Sequence, residues 1–406
     1  MITQTALAAQ EPTAQSGPSR GLAAAVLGAS ALTIMAAAII APSLPAMADA
    51  FSRTPGADVL VRLALTVTSL AIAVTAPFAG LLADRVGSRP LLLVSLALYS
   101  VAGVSGFFVR DLPLLLGSRA LLGIAVGGIM TTVTTIITNG FQGPKRGSFL
   151  ALQQASASLG GVIFLPLAGV LAGVSWRAPF LLYGAGLLVL PIALIALREP
   201  RRKMAAATAG AGSTDAEPGA RWRLAGIYAL ALSATAVFFM APTQLPFTLP
   251  GFGAPTAMTG VVVAGSTATG VIGALTFPRL QARLSRTLIT GISVLLLGGG
   301  WVLTGTAASL AQIVAGALIG GIGVGLVVPN LNLRVSELAT STARGRLLGG
   351  LVASIFLGQF LSPLLAQPLI RMIGIPAAFT WSGIMLVAGS ALAIAAMLIR
   401  RSAQHQ

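Results

Sequence analysis

Apolar residues in this chain come in long unbroken runs separated by short polar stretches. A strand buried on one face alternates at every second position, and so does a membrane barrel strand, so neither fits. The runs have the length of a bilayer-crossing helix, which needs about 20 apolar residues. They place spans near 21–42, 59–83, 90–109, 113–138, 147–172 and 178–197, then near 223–243, 257–278, 287–305, 309–332, 347–370 and 377–399. Between the sixth and seventh spans lies the one long polar stretch, rich in Ala, Gly, Ser and Pro in its middle and basic at both ends. It reads as a flexible linker over 201–222. The expected organisation is an all-α membrane protein: a disordered tail at 1–20, a six-helix bundle over 21–200, the linker, a second six-helix bundle over 223–400 and a short tail at 401–406.

Composition explains why lipid must be the solvent. Only 8% of residues are charged and 56% are hydrophobic, whereas a water-soluble domain carries about 25% charged residues. A net charge of +16 would point to nucleic acid in a soluble protein. Here the basic residues sit in short loops between apolar runs, so a nucleic-acid partner is not expected. Six of them, Arg53, Arg62, Arg110, Arg119, Arg177 and Arg371, fall on or toward one side; the rest of the 25 fall on the other. The positive-inside rule then places both termini in the cytoplasm of a multi-pass inner-membrane protein.

Chemistry is excluded as clearly. There is no cysteine, and the single histidine, His405, is the penultimate residue. No metal, cofactor or nucleophile constellation can be assembled in the spans, and no enzyme is expected. No phosphate-cradling loop supports ATP-driven transport. The glycine-rich run from Gly320 to Gly325 follows no strand and lies within a span, where it serves packing.

The halves match at one fixed offset. Arg85-Val86-Gly87 corresponds to Arg283-Leu284-Ser285, Gly123 and Gly127 to Gly321 and Gly325, and Arg146-Gly147 to Arg344-Gly345. A duplicated six-helix unit with pseudo-two-fold symmetry follows.

Between the second and third spans the chain reads Gly80-Leu-Leu-Ala-Asp84-Arg85-Val-Gly87-Ser-Arg89. This resembles the major facilitator superfamily, whose signature in that loop is G-x-x-x-D-R-x-G-x-[RK]. The resemblance implies that Gly80, Asp84, Arg85, Gly87 and Arg89 latch the two halves together in the outward-facing state. Arg119, followed by Gly123 and Gly127, resembles the family's fourth-helix motif and implies coupling or contact with a substrate anion; the alternative is snorkelling to the nearer membrane face. In the fifth span, Gly160, Pro166 and Gly169 resemble the G-P-x-x-G-G element of drug:proton antiporters. Leu165 and Val170 replace two of that element's glycines, so packing explains these residues equally well.

Neutral polar residues inside spans, Gln153, Gln154, Asn330, Asn332 and Gln359, seek partners within the bundle. They either line a substrate cavity, with Phe238, Phe239 and Met240 as apolar contacts, or bond helix to helix. No Asp, Glu, Lys or His falls mid-span; the acids nearest the path are Asp49 and Asp58 at one end and Asp84 and Glu337 at the other. Without a mid-span carboxylate, a neutral, amphiphilic or anionic substrate is expected rather than an organic cation. The expected function is secondary transport of a small molecule by a monomer, by efflux or by ion-coupled uptake of an anion, with a proton as coupling ion. A non-transporting membrane sensor or scaffold is the rival from another class.

Overall fold

The structure, a computed structural model, describes residues 20–141, 143–197, 220–340 and 343–403. The expected tail at 1–20 and the linker fall largely outside these residues, and half of the tail at 401–406 does. No strand occurs among the described residues.

Among the described residues, eleven helices are long and apolar enough to cross a membrane. The last of them, Arg344–Leu392, is 49 residues long, enough for two crossings. It is divided at Gly374, where φ 80 and ψ 166 interrupt the helical backbone. The count of crossings is therefore twelve.

The N-terminal bundle holds α1 (Arg20–Ala38), α2 (Leu44–Ala50), α3 (Ala57–Val86), α4 (Ser88–Phe108), α5 (Leu112–Gly140), α6 (Gly143–Val174) and α7 (Ala185–Ala196). The C-terminal bundle holds α8 (Ala220–Phe238), α9 (Met240–Thr248), α10 (Thr256–Gln281), α11 (Arg286–Gly305), α12 (Leu310–Leu338) and α13 (Arg344–Ala403). The first and seventh crossings are longer than their apolar runs indicated. Each is interrupted and then resumes, at a 3-10 turn over Ala41–Ser43 and at Phe239. Pro42 sits within the first break and Pro242 just beyond the second, where a missing N–H removes a helical bond. By contrast, α6 and α12 run on through Pro166 and Pro329.

Each bundle has its own apolar core, one including Leu65, Tyr99, Val126 and Tyr183, the other Leu245, Leu297, Trp301 and Phe379. Phe78, Phe108, Val174, Leu188, Leu275 and Met372 are more than half exposed, as side chains facing hydrocarbon would be. Aromatic side chains join crossings by polar tips: Tyr99 and Tyr183 donate to the Leu32 and Ala36 carbonyls, each at 3.1 Å, and Trp301 donates to the Val237 carbonyl.

The repeated glycines make the same contact twice. A Cβ on Gly123 would strike the Thr68 carbonyl where α5 crosses α3, and one on Gly321 would strike the Ser266 carbonyl where α12 crosses α10. Thr68 and Ser266 are themselves related by the offset that relates the glycines. The duplication is thus one of packing as well as of letters. Gly325 lies against the Gly270 carbonyl in the same crossing, and backbone cannot rotate away. Gly325→Leu is expected to lose most folded protein, read as loss of the monodisperse peak in detergent size-exclusion chromatography.

Candidate functional site

The two bundles meet along two seams of contrasting chemistry. In the first, α6 lies against α10 with almost no side chain between them. A Cβ on Gly169 would fall 2.7 Å from the Ala257 carbonyl oxygen, and one on Gly260 would fall 3.0 Å from the Leu165 carbonyl carbon. Leu165, Val263, Ala264 and Ala38 close this seam as a small dry cluster.

The second seam is polar. Asp58 and Arg62 are four residues apart and share one face of α3, as Gln367 and Arg371 do on α13. Arg371 Nη2 donates to Asp58 Oδ2 at 2.7 Å, and Gln367 Nε2 donates to the same oxygen at 3.2 Å. Arg62 is 5% exposed. Its Nε donates to Gln244 Oε1 on α9 at 3.2 Å, and its guanidinium lies 4.0 Å from the Phe247 ring centroid. Deeper in the seam, Ser69 Oγ donates to Gln359 Oε1 at 2.8 Å.

Apart from the mid-helix Ser69–Gln359 bond, these contacts lie toward one end of the molecule, formed by the start of α3, the end of α6, α9, the start of α10 and the part of α13 before Gly374. The opposite end carries the Asp84 loop. There Gly87 has φ 92, a conformation other residues rarely adopt, and reverses the chain between α3 and α4. Asp84 and Arg85 are exposed, and Arg89 donates to the Leu194 carbonyl within its own bundle. Gly80 faces Thr131 of α5. The structure is therefore closed at the Asp58 face, and none of the loop's five signature residues is shown in contact with the other bundle.

Arg119 does not snorkel. It is 1% exposed and turned into the N-terminal bundle, where Nη2 donates to the Ala102 and Gly103 carbonyls at 2.8 Å each. Its guanidinium lies 4.9 Å from both the Phe180 and Tyr183 ring centroids, and Nη1 has no partner. Held this way, it does not reach the seam.

The polar span residues divide in the same manner. Gln359 is in the seam. Gln153 reaches Thr134 at 3.4 Å, and Gln154 is exposed. Asn330 is fully buried and donates to Thr290 Oγ1 and the Arg286 carbonyl, joining α12 to α11. Asn332 bonds the Val328 carbonyl of its own helix. Met240 is buried in the C-terminal core, Phe239 packs with the N-terminal core, and Phe238 stacks on Trp301 at 6.3 Å. These three are therefore packing residues here rather than an open apolar wall. Gly127 packs against Thr75, and Gly160 lies on the Ala31 carbonyl where α6 crosses α1.

The family model for the Major Facilitator Superfamily matches residues 26–339. The chain belongs to that superfamily. Within it, the 3-(3-hydroxy-phenyl)propionate transporter of Escherichia coli (strain K12) is 27% identical over 347 residues, covering 80% of this chain and 81% of that one. Quinolone resistance protein NorA of Staphylococcus aureus is 26% identical over 174 residues, 42% of this chain. The chain spans only 44% of NorA's length. Among solved facilitator structures, a POT family transporter in complex with 5-aminolevulinic acid has a TM-score of 0.77 at 14% identity, covering 93% of this chain and 96% of its own. A D-xylose-proton symporter gives 0.71 at 15% identity, covering 91% and 96%. At such identities the likeness is one of fold. This facilitator is a multi-pass membrane protein.

Proposed function

We propose that this facilitator exports a small neutral, amphiphilic or anionic organic molecule by alternating access. The observation that carries the reading is the grouping of the inter-bundle contacts at one face. Two bundles sealed at one end and unlatched at the other, joined covalently by a single stretch of chain, form the two-state element that alternating access needs. With the basic loops in the cytoplasm, the sealed face is external and the structure is inward-facing.

The substrate class rests on the charges in the polar seam. Arg62 and Arg371 outnumber Asp58, so this path favours neutral or negative solutes over cations. Export follows the resemblance to the drug-efflux branch and the partial match to NorA. Ion-coupled uptake of an organic acid is the second reading, favoured by the long match to the hydroxyphenylpropionate transporter.

Flux through purified protein in liposomes decides between them. A quinolone should leave a compartment matching the cytoplasm against a pH gradient; entry of 3-(3-hydroxyphenyl)propionate with no quinolone movement selects uptake. A protein that moves neither probe, and whose melting temperature shifts with neither, would be a sensor or scaffold.

A further inference from the structure

Asp58 is the one carboxylate among the described residues shown bonding from one bundle to the other. Asp49, Asp84 and Asp111 are exposed at or near the ends of their own helices, and Glu337 pairs with Arg286 inside the C-terminal bundle. The groups facing Asp58 can be named element by element. From α3, Arg62 Nη1 donates to the Asp58 backbone carbonyl at 2.6 Å. From α13 come Arg371 and Gln367. From α9, Gln244 and Phe247 face Arg62 and bring no charge. Arg62 and Arg371 both bond to Asp58, one at its backbone carbonyl and the other at its carboxylate, so two cations share this seam. Ionised Asp58 therefore holds two cations in one seam, and neutral Asp58 leaves them facing each other with no anion between.

Water reaches this group from its own face: the Asp58 side chain remains 44% exposed while the seam is shut. A proton-sensitive gate must be reachable by water and must change the balance between the two arrangements. Asp58 meets both conditions.

We propose that Asp58 is a proton-sensitive latch of this transporter and that its protonation unlocks the face it seals. The inference rests on the alternating-access reading. In the step itself, a proton from the adjoining solution adds to Asp58 Oδ2. The ion pair with Arg371 is lost as such, and Gln367 Nε2 loses a charged acceptor. On closure the proton returns to the same solution and the pair reforms, so this proton sets the gate without crossing the membrane. The ionised carboxylate favours the closed form; that preference is complete when the group is fully ionised and is lost as pH falls through its titration. Acid therefore shifts the population toward the open form, by at most about tenfold per pH unit for one proton.

The absence of native cysteine makes the test direct. Ser52→Cys and Ala308→Cys place spin labels on exposed turns of the two bundles at this face. Distances are read in nanodiscs without substrate between about pH 8 and about pH 4, a range that brackets an ordinary carboxylate. In the parent chain the long-distance fraction should rise with acid. Asp58→Asn should show the long distance throughout with no dependence on pH, while Asp58→Glu, which keeps the charge, should respond to acid. An Asp58→Asn protein that keeps the acid response, or that stays closed at every pH, overturns the proposal. Gly260→Leu, which wedges the other seam, separates the two ideas. If it too fails to part the labels, the alternating-access reading falls; if it parts them while Asp58→Asn behaves as the parent, only the proton site falls.

Discussion

Gly260→Leu is expected to fold, enter the membrane and transport almost nothing. A Cβ at this position would fall 3.0 Å from the Leu165 carbonyl carbon and 3.2 Å from Gly169 Cα. Those obstacles are backbone of α6, so rotating a side chain cannot relieve them. They also belong entirely to the opposite bundle, which is why the C-terminal bundle should assemble undisturbed. Closing the Asp58 face would require α6 and α10 to stand apart, opening the Leu165–Val263–Ala264 cluster and drawing Asp58 from Arg371. Overpacking of a fitted contact costs about 1–3 kcal/mol. That shifts a two-state balance by about five- to 150-fold. A melting temperature near that of the parent, with liposome flux reduced at least tenfold, is the expected pair of readings. Normal flux would mean that the two helices need not approach so closely during the cycle.

The second large effect concerns Arg119, where two substitutions should part company. Arg119→Ala removes a fully buried side chain from between two carbonyls and two rings, leaving a void among α4, α5 and the turn carrying Phe180. Large-to-small changes of this kind cost about 2–5 kcal/mol, and a clear fall in melting temperature is expected. Arg119→Met keeps most of the volume and removes a buried charge that no described carboxylate balances. Replacing buried charge by apolar volume is often neutral. The methionine variant should therefore melt near the parent temperature and, because the native guanidinium does not reach the seam, should still transport. Lost flux with unchanged melting would give Arg119 the coupling role that its motif implies.

The difference between these sites shows what the amino-acid order could convey. Hydrophobic run length reveals crossings because hydrocarbon imposes one requirement on every span, satisfied backbone behind an apolar surface. The repeat was legible because Gly123 and Gly321 answer the same steric demand, a carbonyl oxygen where a Cβ would lie. Direction around a helix axis was not legible. Arg119 and Arg62 are both arginines within apolar runs; one turns into its own bundle and the other into the seam. Asn330 and Gln359 are both lone amides, and only Gln359 bonds across. One signal was available and unused: Asp58 with Arg62, and Gln367 with Arg371, are pairs four residues apart on two different helices. Each pair marks a polar strip, and two strips in otherwise oily helices are natural counterparts. The breaks at Ala41–Ser43 and Phe239 were illegible for another reason, since neighbouring helices can shelter the backbone groups they free.

Gly374 carries a mechanical consequence. The eleventh and twelfth crossings are joined by a single reversed residue with no loop to absorb displacement, and Arg371 is anchored three positions before it. Any tug on that arginine must swing both rods at once, so the far end of the last rod should travel whenever the anchor lets go. Splicing a few flexible residues into the joint would give the pair slack, and movement at the gate would then no longer reach the chain's final turn.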